Sequence, residues 1–567
     1  MKRFTPILLL VLTLTACERT FAPFPFRMET PTGVREFALR DVRPRSAEAE
    51  AVLDPAADPI RLMLRDPVAL DEPETTLVVG FSRFPDGVTI GVIGTDGEQL
   101  AESYPSHQIS YDDRTLPVSV ALRLPARATI TGFTFDIDDE APSPVRLTGL
   151  TTRRIEPGVG IQGTDRTLLA SPGIVVERWN DDRNGAWTID RRNAYGWDDT
   201  DPVEIRYHFE RELPPHEELL RGITVPHAVV RTGGVDFRLD LRPGSNRVVL
   251  YPDSEGLRVE RLAIETGKPG LRVEWIGPVR PLDEPLPAAI PADLGTVLRY
   301  RPEQWRQPDF ELFSWTRYPD VLILDSATYE IQTRFFRRLA FFVEKMGYRG
   351  TVLTDEQLGS MHGYNAHNYN GEGLAAFYHE ADRTGVTLTE EEELLRAIVL
   401  AHGIIREAPS GYEPGVGGIL GISQESSIFP TLRELLISHE AYHGIYYVEP
   451  EFVTAIDRLW ESLDESEQYY WELLLSGMQY DVTFEYLVRN EFQGYLLQQP
   501  VSSATWYFET RMAERIARWH PAQAQWLRRY LAAYSGTHRR QAAEAQAALY
   551  SITGFIARDV YCLTPLR

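Results

Sequence analysis

Cysteine is nearly absent. The 567-residue chain holds two, Cys17 and Cys562, and the first lies in a segment with the makeup of a targeting signal, so no intramolecular disulfide can brace the mature protein. Basic side chains are in deficit, with 58 Lys and Arg against 82 Asp and Glu. The resulting formal net charge of −24 repels polyanions, and nucleic acid is not an expected partner. Long apolar runs are missing too: after the first residues no stretch is apolar for long enough to cross a bilayer as a helix. Length, by contrast, is plentiful, and a chain of this size is expected to divide into several domains.

The first residues have the order of a secretory signal. Lys2 and Arg3 form a basic start, and Ile7 to Leu14 form an apolar run too short to span as a mature helix. The run ends in Leu14-Thr15-Ala16-Cys17, which resembles the lipobox of bacterial lipoproteins. The resemblance implies cleavage before Cys17, lipidation of its thiol and export to a membrane-anchored site. Glu18 rather than Asp follows the cysteine, which favours the outer membrane over the inner. Residues 1–17 are thus assigned to a signal peptide and 18–30 to a tether.

From there to about residue 280 the pattern predicts β-structure. Val235, Phe237, Leu239 and Leu241 alternate with Asp236, Arg238, Asp240 and Arg242, the period of a strand with one buried face. Phe133, Phe135 and Ile137 alternate in the same way, as do Leu271, Val273 and Trp275, with turn residues between the runs. Two stretches, Ile130 to Arg153 and Val259 to Trp275, look like copies of each other. We therefore expect two tandem β-sandwiches, 31–156 and 157–280, whose outline resembles galactose-binding-like jelly rolls. Trp179, Trp187 and Trp197, interleaved with Asp181, Asp182, Asn184, Asp198 and Asp199, read either as core aromatics beside solvated turns or as a sugar-stacking or calcium-binding loop.

A proline-rich passage from Pro278 to Pro291 opens a linker, 281–310, after which the period changes from two to about 3.6. Residues 311–567 read as a mainly α domain with a small sheet at most. A short buried strand is expected at Val321 to Leu324, then a helix burying Phe335, Phe336, Leu339, Val343 and Met346. Further helices are expected at 390–405, 431–447, 465–498 and 507–550.

The helix at 431–447 carries the chemistry. Thr431 and Glu434 have the spacing of a capping box just after Pro430. Leu432, Leu435, Leu436, His439, His443 and Tyr446 then recur at helical spacing, so both histidines project from the buried face. Imidazoles one turn apart can reach one tetrahedral ion at about 2.0 to 2.1 Å each, while Glu440 between them addresses a water in the open position. Zn2+ is the default ion. It lowers the pKa of that water towards about 7, and Glu440 takes the proton as general base and later hands it to the leaving amine. The alternative is a pair of core histidines satisfied by carbonyls.

A catalytic zinc site requires a third protein ligand. The segment resembles the gluzincin metallopeptidases, the thermolysin-like and aminopeptidase group, in which a Glu on a later helix completes the site. Asn490-Glu491-Phe492 matches their Asn-Glu signature, and the resemblance implies that Glu491 is the third metal ligand. Leu487, Val488, Gly494 and Tyr495 flank Glu491, an unusual setting for a carboxylate without a buried partner, and Gly494 permits close approach to the histidine helix. Glu485, with Asp481 and Arg489 one turn away, reads as solvated or ion-paired, and Glu449 is an outside candidate. Thermolysin-like enzymes carry an Asp where this chain has Tyr495, which leaves the groups behind the ligands unassigned. Gly417 to Ser423 stands where gluzincins have a substrate-aligning edge strand.

Tyr446, Tyr480, Tyr495 and His520 are candidates for stabilising an oxyanion. The loop from His362 to Tyr369 is rich in aromatic and amide groups and reads as a cleft wall or a plain surface loop, and His402 reads as a core histidine. The expected function is a membrane-anchored zinc metallopeptidase acting on peptide or protein, in endopeptidase or aminopeptidase mode, with His439, His443 and Glu491 as ligands and Glu440 as base. The rival is a binding lipoprotein whose sandwiches hold carbohydrate or a partner and whose zincin-like module is inactive.

Overall fold

The computed structural model describes residues 25–30, 33–38, 51–53, 60–69 and 76–566, except 84, 86, 104–116, 126, 138–144, 154, 164–165, 181–184, 211, 221–223, 253–255, 280–284 and 429. The signal segment, Cys17 and Glu18 lie outside the described residues, as do Asp181, Asp182 and Asn184. The chain forms two compact units. One is the chain to Asn180 with Trp187–Trp197, and the other is Asp181–Ala186 with Asp198–Arg567.

The first unit is rich in β-sheet. One sheet runs in the order Gly33–Ala38, Pro25–Thr30, Ile60–Ala69, Thr129–Ile137, Val88–Ile93, Gln99–Ser103, antiparallel throughout. Ile90 lies opposite Phe135 and Val92 opposite Phe133, all fully buried, which pins the register because a one-residue slip would turn these side chains to the other face. A second array pairs Val118–Arg123 with Thr76–Phe81 and the latter with Val145–Arg153. Among the described residues the first strand is Pro25–Thr30, inside the span read as a tether, where Phe26 and Met28 alternate in sequence with Arg27 and Glu29. Trp179, Trp187 and Trp197 are at most 2% exposed and belong to the core, so they offer no open stacking face.

The second unit contains the strands after residue 198 as well as the helices. Val203–Phe209 pairs with Gly244–Leu250 and Leu271–Pro278. Val235–Asp240 pairs on one side with His227–Thr232 and on the other with the C-terminal Leu563–Pro565. Arg242, fully buried, donates to the Gly554 and Tyr561 carbonyls. The buried Asp293 carboxylate accepts from the Cys562 and Leu563 amides. These bonds satisfy polar groups taken out of water, and they tie the end of the chain to Arg242, whose pattern falls in the span read as the second sandwich, and to Asp293, in the span read as a linker. Burial pushes the Cys562 thiol up, which leaves it unreactive.

Regular structure also begins inside the span read as a linker. Ile290–Ala292 is a strand and Leu294–Arg299 a helix capped by Asp293. A five-stranded sheet follows in the order Ile290–Ala292, Phe310–Trp315, Tyr318–Ser326, Gly418–Ser423, His367–Asn370. Gly418–Ser423 is therefore interior, parallel to Tyr318–Ser326 and antiparallel to His367–Asn370. The edge strand is His367–Asn370, a correction to the placement of an edge at Gly417 to Ser423. All six residues of Gly418–Ser423 are buried, as suits a central strand.

The C-terminal region is helical. Tyr329–Val343 is capped by Thr328 and buries Phe335, Phe336 and Leu339; it stops short of Met346, which is 51% exposed. Glu390–Ala401, Pro430–Val448 and Pro450–Glu461 follow. The helix expected at 465–498 is two, Glu465–Gly477 and Glu485–Leu497, separated where Gln479 adopts a positive φ of 73°. The long helix expected at 507–550 is interrupted by His520-Pro521 and again by Gly536, whose φ of 81° suits only glycine well. Among the described residues no helix is long and apolar enough to cross a membrane.

Candidate functional site

The site forms where Pro430–Val448 lies between the five-stranded sheet and Glu485–Leu497. The histidine helix begins at Pro430, so Thr431 sits inside the first turn and Glu434 faces Arg558 rather than closing a capping box. Its start is held otherwise. Arg433 makes a two-pronged ion pair with Asp325, at 3.0 and 2.7 Å, and donates to the Ser423 carbonyl at 3.0 Å. Both partners are buried, so the pair fixes the helix against the ends of two adjacent strands. Further along, a Cβ on Gly444 would stand 2.9 Å from Val321, so only glycine lets the helix lie this close to the sheet.

His439, His443 and Glu491 meet in the interior. Their ligand atoms lie within 4.8 Å of one another, and all three side chains are buried. The two imidazole Nε2 atoms face each other at 3.0 Å, with Glu491 Oε2 at 3.5 Å from the first and Oε1 at 3.7 Å from the second. Ligand atoms held at about 2.0 to 2.1 Å from one tetrahedral ion stand roughly 3.3 Å apart. Glu491 Oε2 is buried without a hydrogen-bond partner, and a buried carboxylate oxygen left so is costly. Gly494 makes the approach possible: a Cβ there would come within 2.9 Å of His443 and 3.0 Å of His439. The donor set and the orphaned oxygen fit a metal ion, and the cluster is compatible with a zincin motif.

The electrostatics agree with ligation. Burial holds His439 and His443 at about 4, so both imidazoles are neutral at physiological pH, with lone pairs to give. Asn490 Oδ1 lies 2.9 Å from His443 Nδ1 and accepts its proton, which leaves Nε2 as the free donor atom. Gln493 Nε2 also donates to that oxygen, at 3.2 Å, and so fixes the orientation of the amide. Burial raises Glu491, opposed by His443 and by a hydrogen bond from Tyr480.

Glu440 is 3% exposed, and Asn368 Nδ2 donates to its Oε2 at 2.9 Å. Asn368 is oriented in turn by the Tyr447 hydroxyl, which donates to its Oδ1. Burial and the neighbouring Glu491 push Glu440 well up, opposed by the hydrogen bond from Asn368. Asn368 comes from the edge strand and was visible in the sequence only as part of an amide-rich stretch.

The other candidates separate clearly. Glu485 has an 85% exposed side chain and pairs with Arg489, and Glu449 stands at the start of the next helix, outside the trio. The Tyr495 ring lies edge-on to His439 at 4.7 Å, and its hydroxyl donates to Met478 Sδ at 3.3 Å. Tyr446 instead packs on Tyr486 and Phe452, and His520 faces the Leu473 carbonyl. Tyr364, from the aromatic loop, stacks on Tyr480 at 4.9 Å and forms part of the site wall. His402 is not a core residue: it ends its helix half-exposed, with Nε2 2.7 Å from the Pro287 carbonyl. Glu344, which carries no signal in the sequence, is buried just after Tyr329–Val343.

No protein-family model matches the chain. No curated protein matches it either. Among solved structures, an uncharacterized protein from Burkholderia cenocepacia aligns at 10% identity over 46% of this chain and 83% of its own, with a TM-score of 0.14. A tail fiber protein from an E. coli phage aligns at 7% identity over 44% of this chain and 39% of its own, with a TM-score of 0.17. The CBM22-1-CBM22-2 tandem domain from Paenibacillus barcinonensis Xyn10C aligns at 8% identity over 47% of this chain and 99% of its own, with a TM-score of 0.15. Scores this low carry no argument about fold or function.

Proposed function

We propose that the chain is a zinc metallopeptidase of gluzincin type, exported and anchored to a membrane through Cys17. The observation that carries this reading is the buried convergence of His439, His443 and Glu491, with Glu440 one residue beyond the first ligand. A bound zinc ion, held by the two Nε2 atoms and the Glu491 carboxylate, would supply Lewis acidity toward a water and toward the carbonyl of a peptide bond. Glu440 takes the proton from that water on its carboxylate and delivers it to the departing amine. Asn368 holds Glu440 Oε2, which aims the other oxygen. Asn490 holds the His443 ring, and the Tyr364, Tyr480 and Tyr495 rings keep bulk water out. Tyr480 and Tyr495, beside Glu491, are the phenols positioned to donate to a developing oxyanion.

The edge strand His367–Asn370 offers backbone groups on which an extended peptide can add as a further strand beside Glu440. The β-rich region, read as tandem sandwiches, would hold the peptidase unit away from the membrane. The lipid anchor and the outer-membrane location rest on Leu14-Thr15-Ala16-Cys17-Glu18 alone.

A peptide library incubated with the zinc-loaded protein tests the proposal. Cleavage should be abolished by a chelator, and Glu440→Gln should retain zinc while losing about a hundred- to ten-thousandfold in kcat. No metal-dependent cleavage by the unmodified protein would contradict a peptidase and favour a binding lipoprotein.

A further inference from the structure

The C-terminal segment bonds to both helices that carry the candidate ligands. After the helix Thr537–Thr553, residues 554–561 form a short strap before the strand Leu563–Pro565. Arg242 holds the strap at both ends, donating to the Gly554 carbonyl and, at 3.3 Å, to the Tyr561 carbonyl. Between those ends Ile556 and Asp559 exchange amide-to-carbonyl bonds at 3.4 and 3.0 Å, which makes residues 556–559 a tight turn. The third residue of that turn is Arg558, with a φ of 70°. This is the left-handed region that glycine or asparagine normally takes, and a long side chain is strained there.

What Arg558 reaches accounts for an arginine at a strained position. Its amide donates at 2.8 Å to the carbonyl of Leu497, the last residue of the helix that carries Glu491. Its guanidinium donates at 2.9 Å to the carbonyl of Thr431, in the first turn of the helix that carries His439 and His443. One residue therefore bonds both ligand helices. Its ion pair with Glu434, at 3.6 Å and with that side chain 46% exposed, adds little. Other residues of the strap hold the histidine helix beside its ligands. Tyr442, which precedes His443, donates its hydroxyl to the Ile556 carbonyl at 2.9 Å. Ser438, which precedes His439, has its Oγ 3.2 Å from the Tyr561 hydroxyl. Ser438 and Tyr442 are one helical turn apart, as the two histidines are, so the strap follows the stripe adjoining that of the ligands.

We propose that Arg558 is a positioning residue for the metal site: by tying the end of one ligand helix to the start of the other, it holds Glu491 at ligating separation from His439 and His443 before an ion arrives. The bond between Asn490 and His443 joins the same two helices close to the ligands. A single tie leaves two rods free to pivot about it, and a second tie farther along removes that freedom. Leu497 lies roughly 9 Å beyond Glu491 along its helix, and Thr431 roughly 12 Å before His439, at about 1.5 Å per residue. Ligand spacing set in advance spares reorganisation when the metal binds. The proposal rests on the metal reading of the trio, and it can fail while that reading stands.

The test measures the zinc affinity of the full chain by chelator competition, beside its urea midpoint. Arg558→Gly keeps the amide and relaxes the positive φ but removes the guanidinium. It should lower zinc affinity about tenfold or more and leave the urea midpoint close to that of the unmodified protein, since relieved strain offsets the lost bond. Arg558→Lys, which keeps one charged donor, should recover part of the affinity. Arg528→Ala, at an exposed arginine on Ala524–Ala533, should change nothing. Cobalt supplies a second readout, because its visible absorption bands report ligand geometry: they should differ from those of the unmodified protein in Arg558→Gly and match them in Arg528→Ala. Unchanged zinc affinity in Arg558→Gly overturns the proposal, as does a loss of affinity matched by an equal loss of stability. If the unmodified protein binds no zinc, the metal reading falls and takes the proposal with it.

Discussion

Asn490 Oδ1 and His443 Nδ1 stand 2.9 Å apart, and this bond decides which ring nitrogen is free to hold a metal. A ring held in the right tautomer needs no reorganisation on binding, and losing such an outer partner typically weakens metal affinity about ten- to a hundredfold. Asn490→Ala should therefore lower zinc affinity by that factor while the circular dichroism spectrum is unchanged. Competition against a fluorescent chelator measures it. Unchanged affinity would mean that the bond is incidental.

The Asp325–Arg433 pair, 0% and 3% exposed, anchors the start of the histidine helix. Removing one partner leaves the other charge buried and alone, which costs about 3–5 kcal/mol. Asp325→Ala should lower stability to urea by about that amount, and Asp325→Leu combined with Arg433→Met should recover most of it. A loss no greater than that of a surface substitution would show that water reaches the pair.

His367 predicts a pH dependence. It is buried against Phe336 with Nδ1 2.9 Å from the Tyr369 hydroxyl, and burial holds its pKa at about 3, against 6.5 for an ordinary histidine. Between those values the unfolded chain binds the proton that the folded one refuses. Its contribution is present above about pH 6.5 and lost as the pH falls toward 3. His367→Gln, which cannot titrate, should show a smaller drop in urea midpoint between pH 7 and pH 4.5 than the unmodified chain. Equal drops in both would place the acid sensitivity elsewhere.

Periodicity made much of this architecture legible, and it failed where long-range partners decide. The alternation from Val235 to Arg242 marked a strand, but it did not reveal that Leu563–Pro565 pairs with that strand and draws it into the unit of the helices. The helical pattern at 465–498 breaks after Gly477, the last residue of the first of its two helices, and the positive φ of Gln479 completes the break; a lone glycine inside an apolar helical pattern does not by itself announce an end. His439, Glu440 and His443 declare themselves because one helical turn sets their spacing, and Glu491 because a carboxylate among apolar neighbours needs a buried partner. Asn368, Arg433 and Glu344 carry no local signal. The first reaches Glu440 from 72 residues away, and the second reaches Asp325 across 108. The edge strand was misplaced for a related reason: Gly418–Ser423 and His367–Asn370 are neighbours in one sheet, and sequence does not say which of two paired strands lies outermost.

The most direct test of the central claim is zinc content of a soluble protein beginning after Cys17, compared with Glu491→Ala and, as a control, Glu485→Ala. About one zinc per chain is expected in the unmodified protein and the control, and a large loss with Glu491→Ala only. Absence of bound metal after zinc is supplied, or equal retention in all three, would contradict that claim and make His439 and His443 core residues.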